Sequence, residues 1–174
     1  MLFVRPAQIS EYDDVEKFYC ELIDAIVGGE FTPEWEWGVY PCERLIKDSI
    51  EEQALYLAFL EDCLVGAMIL NHDCIPDYDK GKWHIDASKD EIMFIHTLGV
   101  SKPHQGKGIA KQMLSSAIEI CKEQALKTIR LDILAKNTPA EKLYSSMGFR
   151  HVASLKMFYE DTGWADFKLF ELIL

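Results

Sequence analysis

The sequence predicts an α/β fold in which one mixed sheet of about seven strands is flanked by about four helices, in a single domain over residues 1–174. Three observations carry that reading. Apolar stripes at helical spacing alternate with short apolar runs at strand spacing, in the order β-α-α-β-β-β-α-β-α-β-β. Hydrophobic residues make up 49% of 174, enough to bury one core. No internal repeat or low-complexity linker divides the chain.

Residues 2–5 open as a short strand. Ser10-Glu11-Tyr12-Asp13 has the form of a helix capping box. Val15, Phe18, Tyr19, Leu22, Ile23 and Ile26 follow at helical spacing, and Gly28-Gly29 stops the helix. A second, less regular helical region covers 33–52. Residues 55–60 and 64–70 are apolar runs around Glu61-Asp62, which reads as a β-hairpin. Residues 72–90 are polar and rich in turn formers: a long surface excursion, either a functional loop or a passive insert. The next strand covers 92–100. After the link 101–105 a helix begins near Lys107, with Ala110, Met113, Leu114, Ala117, Ile118, Cys121 and Ala125 in one apolar stripe. Residues 128–134 form a strand. Thr138-Pro139-Ala140-Glu141 combines a capping threonine with proline at the first helical position, and Gly148 ends that short helix. Residues 149–158 and 165–174 close the chain as two strands around a turn at 160–163.

A formal net charge of -11 argues against nucleic acid or an anionic membrane as partner. No apolar run is long enough to span a bilayer, and the N-terminus lacks a basic region followed by an apolar one, so a cytoplasmic protein is expected. Cys20, Cys42, Cys63, Cys74 and Cys121 are odd in number and widely spaced. They read as reduced, mostly buried thiols, with no structural metal.

One stretch inverts the charge. Residues 92–118 contain no acid, where 29 Asp and Glu in 174 would place about four or five. Within it, Lys102, Lys107 and Lys111 surround Gly106 and Gly108. A strand, a glycine turn and a helix start together suit a phosphate, because the first helical turn leaves N–H groups unpaired and glycine lets an anion approach the backbone. Two phosphate motifs fail here. A P-loop needs Ser or Thr after Gly-Lys, and Lys107 is followed by Gly108. A dinucleotide fingerprint needs a third glycine, directly after the strand.

Gln105-x-x-Gly108-x-Ala110 resembles the Gln/Arg-x-x-Gly-x-Gly/Ala signature of the GCN5-related N-acetyltransferase (GNAT) superfamily. Ile95-His96-Thr97-Leu98-Gly99-Val100 resembles its fourth strand and Leu131-Asp132-Ile133-Leu134 its fifth. Asn137 through Leu143-Tyr144-Ser145-Ser146-Met147-Gly148-Phe149 is similar to its N…A…LYxxxGF segment. The matched motifs run over 92–149.

The resemblance implies a cytoplasmic enzyme that transfers acetyl from acetyl-CoA directly to a primary amine of a small molecule or peptide, with no metal. It implies pantetheine along the backbone of Leu98, Gly99 and Val100, and pyrophosphate on the amides of Gln105, Gly106, Lys107, Gly108, Ile109 and Ala110. At Gly108 a side chain would most directly obstruct that approach. Lys107 either reaches a phosphate or stays in solvent. Asn137 matches a residue that bonds the pantetheine arm, and otherwise is a turn residue.

The Leu98 amide would donate to the developing oxyanion. Tyr144 matches the general acid that protonates the leaving thiolate, and otherwise packs the helix onto the sheet. Many relatives carry a glutamate base on strand four. Here His96 stands on that strand, either a base acting directly or through water, or a hydrogen-bonded strand residue. Glu91 at the strand mouth, or no dedicated base, are the alternatives. Trp35, Trp37, Tyr40, Tyr78, Trp83 and His84 lie where relatives build the acceptor pocket. Asp73, Asp77 and Asp79 would attract an amine, and Trp164 and Asp166 would line a far wall. A CoA-binding sensor without catalysis, an O-acyl or longer-acyl transferase, and a homodimer through the final strands remain open.

Overall fold

A computed structural model of the chain describes residues 2–29, 31 and 33–174. Its strands are β1 (Leu2–Pro6), β2 (Leu55–Leu60), β3 (Cys63–Asn71), β4 (Ile92–Val100), β5 (Thr128–Leu134), β6 (Arg150–Tyr159) and β7 (Gly163–Ile173). The helices are α1 (Tyr12–Ile26), α2 (Glu43–Glu51), α3 (Ile109–Glu123) and α4 (Thr138–Ser146). One 7-stranded sheet runs in the order β1-β2-β3-β4-β5-β7-β6. Its β4–β5 contact is parallel and the other pairings are antiparallel. The element order is the one expected from the sequence.

Two helical layers follow from the apolar stripes. Val15, Phe18, Leu22, Ile46 and Ile50 from α1 and α2 meet Leu57, Ala67 and Ile69 on one face. Met113, Leu114, Ala117 and Tyr144 from α3 and α4 meet Ile129, Leu131 and Phe170 on the other. Met113 and Leu114 are fully buried, worth about 1.5–3 kcal/mol each over exposure. A third cluster, Tyr78, Phe94, Leu134, Met157, Phe167 and Leu169, fills the sheet beneath the excursion.

Several boundaries differ from expectation. The capping box lies at Gln8 and Glu11, where Glu11 also takes a bidentate bond from Arg5 at 2.8 and 2.6 Å. The second helical region contracts to Glu43–Glu51. Ahead of it the chain doubles back through a bridge between Glu36 and Tyr40, a tighter arrangement for 33–42 than a helix. The helix expected near Lys107 starts at Ile109, because Gly106 and Gly108 take positive φ. Asn137, not Thr138, caps α4. Only Cys121 is buried among the free thiols, and Cys63 and Cys74 are exposed. No helix among the described residues is long and apolar enough to cross a membrane.

Candidate active site

Between β4 and β5 the sheet opens. The two strands pair only at Ile92↔Thr128, Met93↔Ile129 and Phe94↔Arg130, and then diverge. Beyond Phe94, the β4 groups that face β5 have no strand to bond. On its other side β4 still pairs with β3, but the register shifts between Ala67↔Gly99 and Ile69↔His96, so Thr97 and Leu98 form a bulge. Thr97 takes φ 49°, a left-handed conformation that a β-branched residue rarely adopts. The Tyr19 hydroxyl holds it from α1, at 3.1 Å from the Thr97 carbonyl oxygen and 3.0 Å from its Oγ1.

The bend aims β4 at the mouth of α3. Gln105 donates through Nε2 to the Val100 carbonyl at 2.9 Å and ties the loop to the strand end. Gly106 and Gly108 sit at φ 74° and 78°, and a Cβ on either would project into open space. The requirement for glycine at 108 is therefore conformational in the free chain. Gln112 N–H bonds back to Gly108 at 3.2 Å, closing the first turn. The amides ahead of it are those that a helix start leaves without helical acceptors. No acid lies in that turn.

Across the opening, Asn137 accepts the Ala140 amide at 3.2 Å through Oδ1, so its cap role is in place and its Nδ2 is left to face other partners. Tyr144, about two turns on, is buried, only 7% exposed, and packs edge-on against Phe149 at 5.4 Å. Burial, and then the nearby Asp132 carboxylate, push its hydroxyl well above its ordinary value.

These parts share a cleft of about 1180 Å³ that continues to an aromatic end. There Trp35, Tyr40, Tyr78 and Tyr159 stand around His96 and Asp132. His96 Nε2 lies 3.0 Å from both Asn71 Oδ1 and the Asp73 carbonyl, both acceptors, so this nitrogen carries the proton and Nδ1 keeps its lone pair. Burial lowers the His96 pKa, against the pull of Asp132 and Asp73. Asp132 accepts from Tyr78 at 2.5 Å and Tyr159 at 2.7 Å, and burial raises its pKa against those two bonds.

The excursion walls this end and is pinned from below. Arg130 Nε donates to Glu171 at 2.9 Å, and both side chains are buried. Arg130 also donates to the Ile85 carbonyl at 3.0 Å and lies 4.1 Å from the Trp83 ring centre. Glu171 accepts the His84 amide at 2.6 Å. Trp83 stacks on Tyr78 and donates to its carbonyl at 3.0 Å.

Of the residues singled out in the sequence, His96, Leu98, Gly99, Val100, Gln105, Gly106, Ala110, Asn137 and Tyr144 line the one cleft. Lys107 and Gly108 are exposed outside its wall, and Ile109 turns its side chain into the core. Trp35, Tyr40, Tyr78 and Asp73 line the aromatic end. Trp37, Trp83, His84, Asp77, Asp79, Trp164 and Asp166 do not: Trp83 and His84 anchor the excursion from behind, and Trp164 is 63% exposed on the outer hairpin. Glu91 lies outside the cleft and pairs with Lys127 at 2.7 Å. Sequence reasoning missed Asp132 and Tyr159; the available signal was an acid inside an apolar strand.

The acetyltransferase (GNAT) family model matches residues 20–149. The streptothricin acetyltransferase of Escherichia coli is 34% identical over 151 residues, 84% of this chain and 78% of that protein. A ribosomal protein bS18-alanine N-acetyltransferase of Haemophilus ducreyi is 32% identical over 65 residues, 37% of this chain and 45% of that protein. Among solved structures, a GNAT-family acetyltransferase from Streptococcus agalactiae superposes with TM-score 0.83 at 20% identity, covering 99% of this chain and 95% of that one. The yncA protein of Salmonella typhimurium, solved with its cofactor acetyl-CoA, superposes with TM-score 0.71 at 16% identity, covering 100% and 94%.

Proposed function

The chain belongs to the acetyltransferase (GNAT) family, and from that premise we propose that it passes the acetyl group of acetyl-CoA directly to a primary amine of a small molecule or peptide. The observation that carries this reading is the single cleft joining the unpaired edge of β4, the glycine mouth of α3 and the aromatic end. A thioester with a long polar tail needs the first two, and an acceptor needs the third.

In this reading the main chain of Leu98, Gly99 and Val100 bonds the pantetheine arm as a missing strand would. The amides of 105–110 hold the pyrophosphate, helped by the helix dipole. Asn137 keeps Oδ1 on its own helix and offers Nδ2 to the arm. The Leu98 amide, turned by the bulge, donates to the carbonyl oxygen as charge develops there.

Tyr144 protonates the departing sulfur. Its hydroxyl holds its proton more tightly than in water, but an anionic sulfur brought into the same low-dielectric cleft is raised by the same cause, so the two remain matched. His96, neutral and bonded through Nε2, offers Nδ1 as a hydrogen-bond acceptor that orients the incoming amine.

The test is thiol release from acetyl-CoA over a library of lysine, polyamines, peptide N-termini and streptothricin, with cofactor binding followed by calorimetry. Release accelerated by one class of amine is the expected result. Binding without turnover on any amine would turn the assignment to a CoA sensor, and no binding would overturn it.

A further inference from the structure

Asp132 lies two residues beyond the last β4–β5 pair, Phe94↔Arg130, level with His96 across the opening. Strand alternation turns both to the face of Phe94 and Leu134. Tyr78 and Tyr159 donate to the same oxygen, Oδ2. Oδ1 takes no hydrogen bond from the described residues, and Asp132 lines the cleft. Facing it are Tyr78 of the excursion, Tyr159 of β6, His96 of β4, Tyr40 of the loop before α2, Tyr144 of α4 and Asp161 of the β6–β7 turn. No lysine or arginine stands among these groups, so the open oxygen faces the cavity with no fixed cation beside it.

We propose that Asp132 is the catalytic group that binds the acceptor as an ammonium ion and takes its proton, with Tyr78 and Tyr159 as positioning residues; the role rests on the acetyltransferase reading above. The choice between Asp132 and His96 is electrostatic. Accepting a proton makes His96 a cation in a site that already disfavours its charge, whereas it makes Asp132 neutral, the form that burial favours. In the step, an N–H bond of the ammonium breaks and an O–H bond forms on Oδ1. The freed nitrogen pair bonds the thioester carbon, and the C–S bond breaks with its pair on sulfur. Tyr144 protonates sulfur and regains a proton from the second N–H that the nitrogen sheds. Asp132 releases the first proton to solvent.

The full chain is assayed by thiol release with lysine, spermidine and streptothricin as acceptors, across pH. Asp132→Asn is expected to lower kcat/KM at least ~100-fold with acetyl-CoA affinity unchanged. Tyr159→Phe keeps the carboxylate but removes a donor to its charged form, so the acidic limb of kcat/KM moves to higher pH. A side chain that only braced the fold would not move that limb, and this variant decides if Asp132→Asn fails to fold. Native-like kcat/KM in Asp132→Asn, or an unmoved limb in Tyr159→Phe, overturns this inference and leaves the acetyltransferase reading standing. A native chain that neither binds acetyl-CoA nor acetylates any amine overturns both.

Discussion

Replacing Tyr19 by phenylalanine tests whether α1 holds the bend that opens the sheet. Tyr19 is 0% exposed, and its hydroxyl contacts Thr97 at the carbonyl oxygen and at Oγ1, 3.1 and 3.0 Å away. A β-branched residue at φ 49° stores about 1–3 kcal/mol and persists only where its neighbours over-determine it. The phenylalanine ring keeps the edge-on packing against Phe18 at 5.4 Å and Trp35 at 6.4 Å, so no cavity forms. What is lost is the bond to a carbonyl in a dry interior, about 1–3 kcal/mol. At roughly 2–4 °C per kcal/mol for a chain of this size, melting should fall by about 2–12 °C. The bulge also aims Leu98 and Gly99 into the cleft, so acetyl-CoA should bind more weakly by calorimetry and raise Tm by a smaller increment than in the native chain. An unchanged Tm together with unchanged affinity would refute the claim that Tyr19 sets the bend.

Gly108→Ala puts a side chain at φ 78° with no protein atom near it. It should cost about 1–2 kcal/mol from the backbone alone and weaken acetyl-CoA binding; calorimetry showing native affinity would remove the anion from the α3 mouth. Tyr144→Phe should lower kcat at least about tenfold with acetyl-CoA affinity unchanged, and native kcat in steady-state assays would end its role as acid. Glu91 is held down at about 2 chiefly by its bond with Lys127. Its folded value is depressed, so its stabilisation is complete above the ordinary carboxylate range and fades as pH falls through about 2. Glu91→Gln should accordingly melt below the native chain at neutral pH, with the gap closing in acid; a gap that ignores pH would contradict the pairing.

How much of this was legible in the sequence depends on which force fixed each part. Helix α3 was readable because its stripe at Met113, Leu114, Ala117 and Cys121 is set by burial, and burial leaves a period in the sequence. The turn ahead of α3 was readable because positive φ at Gly106 and Gly108 demands glycine. Residues 33–42 misled because Trp35 and Tyr40 reach the cleft from a tight doubled-back chain, and aromatic anchors carry no period of their own. Cap positions slipped by one or two residues, since Gln8, Ser10, Asn137 and Thr138 all carry capping groups and only geometry selects among them. Asp132 stayed hidden because its partners, Tyr78 and Tyr159, are 54 and 27 residues away and meet it only once the sheet is formed.

The Arg130–Glu171 pair bears on what shapes the aromatic end. Lifting the excursion would strip Arg130 of the Ile85 carbonyl and the Trp83 ring, and Glu171 of the His84 amide. The ion pair itself would survive, but each charge would lose a partner in a dry interior, at about 1–3 kcal/mol for each hydrogen bond left unmade. Those contacts favour the excursion in its place against the sheet. The outline of that end of the cleft is thus held from beneath, by an ion pair that does not itself line it.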